Sequence, residues 1–283
     1  MEQQPNKLTL AFGVVTSDSN RRTWLKTACD VLSRKVGAVV YPQVARSYAD
    51  LAASMESSSL ELAWTPPLVA ADLITRRAGS VVVVSRRDNS DHYRAVLFTL
   101  RDSGLQRPED LRGKHVAWVD ETSASGYVVP AMWLRDHGLP PEDLFGRQSF
   151  LGNHGAVARA VLRREVDVGA TFALFSAGLR ATVEAGWTEI DPKCADDVRM
   201  VLNAGSVPAD CIMASSRVSE ETRDRLAQGF CEQTEADAAV FRKALGADGY
   251  IRCPSDYVTS LRRLALEASR TRRPSIAPAR GPD

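Results

Sequence analysis

Four consecutive valines, Val81 to Val84, set the strongest limit on how this chain can fold. An unbroken β-branched run presents no polar side to water, so it reads as a strand covered on both faces. Leu8–Val15, Val36–Tyr41 and Leu60–Trp64 are further short apolar runs. Between them Trp24, Leu25, Ala28, Val31 and Leu32 recur at helical spacing, and Tyr48–Met55 and Leu68 to Arg76 read as two more helices. Strands alternating with helices imply an α/β architecture with mainly parallel sheets flanked by helices.

A second series of the same kind follows. His92–Leu100 reads as a strand and Arg101–Leu105 as a linker, then come strands over 115–119, 148–151 and 166–171. Helices are expected over 125–137, 154–164 and 173–185. Strands at 199–203 and 211–215 are separated by the turn-like Ala-Gly-Ser-Val-Pro-Ala-Asp, and helices over 219–232, 234–245 and 255–268 complete the chain. The two series, divided near residues 95–105, predict two lobes with a cleft between them.

Charge excludes some functions. Lys plus Arg number 36 against 35 acidic residues, a formal charge of +1, which argues against wholesale binding of nucleic acid or anionic lipid. No apolar run approaches the roughly 20 residues needed to cross a bilayer, so no direct membrane insertion is expected. Met-Glu-Gln-Gln-Pro-Asn-Lys leads directly into Leu8–Val15 without a small-residue cleavage site, so that run reads as a first core strand rather than a leader. A native start implies the cytoplasm; a trimmed leader implies the periplasm. Cys29, Cys194, Cys211, Cys231 and Cys253 form no Cys-x-x-Cys pair and show no ligand spacing with His92, His115, His137 or His154. They are expected to be reduced and mostly buried, with no metal and no cofactor.

The stretch from Leu111 to Pro130 carries the densest chemistry. Val116–Val119 is a buried strand, Asp120–Gly126 a hydroxyl-rich turn, and the apolar residues through Leu134 a helix. A helix start presents unpaired N–H groups and the positive end of the dipole, which suits an anion. An ordinary N-cap accounts for the same residue types.

Several blocks then line up with one family. Glu61-Leu62-Ala63-Trp64-Thr65-Pro66-Pro67-Leu68, Tyr93–Leu97, Arg101–Gly104, Glu109–Lys114, Ser123–Pro130, Gly152–Val157 and Val166–Ala170 occur in order over about residues 8 to 265. Together they resemble the phosphonate, phosphite and phosphate substrate-binding proteins of ABC importers. The resemblance implies the two-lobed type II periplasmic-binding-protein fold closing over an oxyanion. One lobe would take residues 1–96 plus 203–270 and the other 97–202, with 271–283 a disordered tail. It also implies that Ser123, Ala124, Ser125 and Gly126 grip the anion, although the family carries a hydroxyl where this chain has Ala124. His154 matches the ligand-contacting His, next to Gly155 where relatives often have Asp. Tyr48 and Tyr93 match tyrosines that contact the phosphonate.

Strand-end position adds Trp64 and Thr65 to the candidate ligand contacts, with Thr171, Phe172, Asn203 and Ser206 as further strand-end positions. Each has a structural alternative in core or lobe-face packing. Arg159, Arg163 and Arg164 read as the solvated face of one helix. The resulting expectation is non-catalytic binding of a small oxyanion, with an ABC permease or a signalling partner. Two alternatives stand beside it: a cytoplasmic enzyme of the same fold, of menaquinone or thiamine-precursor type, and an interaction domain without a small ligand. No activated nucleophile, nucleotide loop or carboxylate pair supports catalysis, so no catalytic residue is assigned.

Overall fold

The computed structural model describes residues 8–16, 19–175, 182–188 and 190–271. In chain order the elements are β1 (Thr9–Val15), α1 (Ser19–Val36), β2 (Val39–Ala45), α2 (Tyr48–Glu56), β3 (Leu62–Thr65), α3 (Pro67–Thr75), β4 (Gly79–Arg86) and β5 (His92–Leu100). Then come β6 (His115–Trp118), a turn of π-helix (Ala124–Val128) running into α4 (Val129–Asp136), α5 (Pro141–Leu144), β7 (Arg147–Phe150) and α6 (His154–Leu162). β8 (Val168–Phe175), β9 (Thr182–Ala185), β10 (Val198–Pro208), β11 (Cys211–Ser215), α7 (Glu220–Cys231), α8 (Glu235–Leu245), β12 (Gly249–Arg252) and α9 (Tyr257–Thr271) follow. The chain divides into two compact units. The first takes in Met1–Tyr93, Leu174–Val183 and Val207–Leu261, the second Arg94–Ala173, Glu184–Ser206 and Arg262–Asp283.

The first unit holds a six-stranded sheet in the order β12-β4-β11-β3-β1-β2. The valine run lies in β4, inside this sheet, and Val82, Val83 and Val84 are buried. α1 turns Leu25, Ala28, Cys29, Val31, Leu32 and Val36 inward at helical spacing. They meet Leu10, Phe12 and Val14 of β1 in one core, where the Phe230 ring packs against Phe12, Phe241 and Tyr250. The second unit's sheet runs β10-β5-β8-β6-β7, with β9 also on β8. Its core surrounds Trp118, whose ring meets Tyr127 and Phe145 edge-on.

Both sheets are mixed rather than mainly parallel. β1 pairs with β2 and β3, and β6 with β7 and β8, in parallel. β11, β12 and β5 run antiparallel to their neighbours, because late segments of the chain insert beside early strands. The helix expected over 173–185 is also corrected: β8 continues to Phe175 and β9 occupies 182–185, while 176–181 lie outside the described residues. Ala173 and Leu174 suit either state by pattern, and pairing with β5 decides for strand. β10 likewise runs through the expected turn, with Gly205 at φ +139°. β12 was not expected at all; its four residues exist as a strand through pairing with β4. The expected tail lies outside the described residues, apart from the end of α9.

A buried polar hub ties the first unit's strands together. Asp210, 6% exposed, accepts from Trp64 Nε1 at 2.6 Å, Ser85 Oγ at 2.7 Å and Arg87 Nη1 at 2.7 Å, and Arg87 Nε donates to the Gly246 carbonyl. Removing one member of a buried ion pair leaves the other charge uncompensated. Asp210→Ala is expected to cost about 3–5 kcal/mol in urea denaturation, and the double replacement Arg87→Leu/Asp210→Leu clearly less than the sum of the single changes.

Candidate ligand-binding site

Val119 organises the candidate site in the second unit. Its N–H donates to the Gly126 carbonyl at 3.0 Å, and its carbonyl accepts from Gly152 N at 2.7 Å, beside Leu151 N donating to Trp118 O at 3.0 Å. One residue at the end of β6 thus holds both the Ser123–Gly126 turn and the segment leading into α6. Gly152 takes φ +84°, a left-handed conformation that glycine adopts without penalty. Asn153 then caps α6 by accepting from Ala156 N at 2.8 Å, which places His154 as the first helical residue.

The turn folds on itself before it can meet a ligand. Asp120 accepts from Thr122 N and Oγ1, and Ser123 Oγ accepts from Gly126 N at 3.1 Å as the N-cap. Val128 N reaches back to Ser123 O at 3.0 Å, the wide spacing of a π-turn, a geometry frequent at functional sites. Gly126 is demanded by packing: a Cβ there would stand 2.4 Å from Val119 Cβ and 2.7 Å from Ser123 Oγ. Ala124 and Ser125, opening the helical segment, have no carbonyl one turn earlier inside it to satisfy their N–H groups. Ser125 is 2% exposed, and its hydroxyl has no hydrogen-bond partner among the described residues. Ala124 is buried and offers only its backbone.

His154 is the second element of the site. Its Nδ1 lies 2.9 Å from Thr171 Oγ1, and its ring stands edge-on to Phe172 at 5.1 Å. Desolvation lowers its pKa to about 4, so the imidazole is neutral at pH 7. Burial against β8 is the cause. Thr171 and Phe172 are interior residues of β8 rather than its end, and both touch His154.

The other expected contacts belong to the first unit. Thr65 is fully buried, with its hydroxyl against Cys211 O at 3.3 Å and Cys211 Sγ at 3.2 Å. Tyr257 donates to Ala209 O, and Cys211 and Tyr93 both lie close enough to raise its pKa electrostatically after burial has done so. Thr65 and Tyr93 are therefore gathered around Cys211 and Tyr257. Trp64 gives its N–H to Asp210 and packs on the core. Tyr48 opens α2 after the Ser47 cap and is half-buried. Asn203 and Ser206 are exposed on β10. Arg159, Arg163 and Arg164 are exposed, as expected, and Arg164 pairs with Asp102 at 2.5 Å. Asp210, Tyr257 and Val119 escaped the sequence reading, since nothing in their neighbours marks a buried acid, a buried phenol or a two-sided backbone anchor.

The five thiols are free. Burial raises the Cys29 and Cys211 pKa values to about 12, which keeps them protonated. Among the described residues no His, Cys, Asp or Glu cluster could hold a metal, and no helix is long and apolar enough to cross a membrane.

Two mixed sheets flanked by helices, with helix starts gathered at the ends of β6 and β7, are the architecture of type II periplasmic binding proteins. A binding-protein component of an ABC phosphonate transporter from Pseudomonas aeruginosa superposes with a TM-score of 0.74 at 20% identity, covering 94% of this chain and 88% of that one. PhnD1 from Prochlorococcus marinus, in complex with methylphosphonate, gives 0.71 at 15% identity over 92% and 98% of the two chains. The Phosphonates-binding periplasmic protein of Escherichia coli (strain K12) is 24% identical over 269 residues, 91% of this chain and 76% of that protein. Residues 12–257 match the family described as "ABC transporter, phosphonate, periplasmic substrate-binding protein", and the chain belongs to that family.

Two measurements test this geometry. Gly126→Ala is expected to lower stability by about 1–3 kcal/mol by forcing β6 and the turn apart. For His154 the sign follows from its depressed pKa. The unfolded chain binds a proton below pH 6.5 that the folded chain refuses until about 4. Stability contributed by the neutral ring is thus complete above 6.5 and lost as pH falls toward 4. Between pH 7 and 5 the protein is expected to lose about 1–2 kcal/mol that His154→Gln does not lose, read by urea unfolding at both pH values.

Proposed function

We propose that this chain binds a small oxyanion of the phosphonate, phosphite or phosphate class without transforming it, and presents it to an ABC permease. The carrying observation is the double anchoring at Val119, which holds the start of the Ser123–Gly126 turn and the start of α6 against one strand end. The donors offered are the unpaired N–H groups of Ala124 and Ser125, the Ser125 hydroxyl and a neutral His154. Preorganised neutral donors bind an anion because they need no reorganisation and their hydrogen bonds to charged oxygens are stronger than neutral ones. Tyr48 and Tyr93, with Trp64 and Thr65, complete the proposed contacts from the other lobe, and the interlobe placement of the ligand rests on the resemblance alone. Trp64 and Thr65 have internal partners for their polar atoms.

The same reading places the protein in the periplasm, in keeping with the family's description; the cytoplasmic expectation and the signalling partner find no support there. The relatives' names describe binding and transport, which favours a non-catalytic role over an enzyme.

Thermal-shift measurements with phosphate, phosphite, methylphosphonate, 2-aminoethylphosphonate and sulfate test the proposal. A ligand at about 100 times its dissociation constant should stabilise the fold by about 2.7 kcal/mol. Ser125→Ala and His154→Ala should each weaken the responding anion by about tenfold or more. Flat melting curves across the whole panel would remove the proposal.

A further inference from the structure

Thr171 lies in β8 with no exposed surface, and its hydroxyl has one hydrogen-bond partner among the described residues, His154 Nδ1 at 2.9 Å. Gly186 closes in on the same oxygen: a Cβ there would stand 2.1 Å from Thr171 Oγ1 and 3.4 Å from His154 Cβ. A glycine is thus required for the threonine and the imidazole to keep this arrangement.

Hydrogen-bond accounting then separates the possible protonation states of the ring. A neutral imidazole offers one donor and one acceptor. With the proton on Nδ1, the ring would donate to Thr171 and leave the threonine's own proton buried without an acceptor, a costly state. With Nδ1 bare, the hydroxyl donates to it and the ring proton sits on Nε2. The doubly protonated ring is disfavoured by desolvation. It would also force Thr171 to accept while its own proton found nothing.

We propose that Thr171, held in place by Gly186, is the positioning residue that fixes His154 as an Nε2–H donor. Its consequence for the ligand rests on the anion-binding reading above. His154 then offers an oxyanion a single directed N–H without adding a full positive charge, and its other nitrogen cannot compete as a donor. The Phe172 ring, edge-on to the imidazole, restricts the ring's rotation from a second side.

The test uses the full chain labelled with 15N-histidine, with His154 assigned by comparison with His154→Gln. Long-range 1H–15N spectra at pH 7 should show His154 with the proton on Nε2 and a hydrogen-bonded, unprotonated Nδ1. Thr171→Val, which keeps the shape and removes the hydroxyl, should abolish the hydrogen-bonded Nδ1 signature, and Thr171→Ser should restore it. By calorimetry, affinity for methylphosphonate or inorganic phosphate should fall about tenfold in Thr171→Val and recover in Thr171→Ser. A wild-type ring protonated on Nδ1, or a Thr171→Val protein with unchanged spectrum, overturns the proposal. Unchanged affinity in Thr171→Val, where the wild type binds, overturns the positioning role. Failure of the wild type to bind either anion refutes the functional reading and leaves the tautomer result standing by itself.

Discussion

The contact between Val119 and Gly126 is the constraint on which the candidate site depends. A strand end and a helix start can approach this closely only where one partner lacks a side chain, since any Cβ on Gly126 would overlap Val119. The approach lets Val119 N–H reach the Gly126 carbonyl, while the carbonyl of the same residue receives Gly152 N–H. Two helices that are distant in sequence therefore begin at one place. In open α/β sheets the carboxyl ends of strands are where ligands bind, because helix starts converge there with their N–H groups unpaired. Here that general rule is carried out by one valine and two glycines.

The donors proposed for the ligand are neutral, although the Arg159 guanidinium lies beside Gly155. Serine hydroxyl, backbone amides and a desolvated imidazole hold no net charge, and the carboxylate of Asp120 is turned to Thr122. Charge attraction between fixed ions would be strong in a dry site but would also require burying a cation when no ligand is bound. Dipoles directed at the anion avoid that cost in the empty state. Under the proposed role in ligand uptake and delivery, such a balance limits how tightly the bound state is held. Burial of His154 is part of the same logic, since it keeps the ring from becoming a cation near neutral pH.

Much of the fold was legible in the sequence because its strands are short apolar runs and its first helix repeats apolar residues at helical spacing. The valine run, α1 and the turn after β6 were read for physical reasons that the structure repeats. What was illegible is where pairing overrides local pattern. β8 runs through residues that read as helix, β10 runs through a turn-like segment, and β12 is a strand only beside β4. In the candidate site, Ser123 and Ser125 drew notice as hydroxyls at a helix start, and His154 through the family resemblance. Thr171 was noticed only as a strand end, and its partnership with His154 spans 17 residues that no periodicity connects. Asp210 was invisible, because its partners come from β3 and β4, more than a hundred residues earlier.

Trp64 illustrates why residue type alone is a poor guide to a binding site. An indole at a strand end suits a ligand face and a core edge equally well, and the deciding fact is where its one donor goes. That donor meets Asp210, whose other oxygen neutralises Arg87, so tryptophan, acid and cation form a closed internal set. Ser125 and Ala124 stand on the opposite side of this distinction. Ser125 is as buried as the hub residues, yet its hydroxyl has no internal partner among the described residues. Ala124 offers no side-chain donor, only the N–H that the helix start exposes. Hydrogen-bond accounting thus separates Trp64, whose donor the fold consumes, from the helix-start N–H groups beside Val119 that it leaves open.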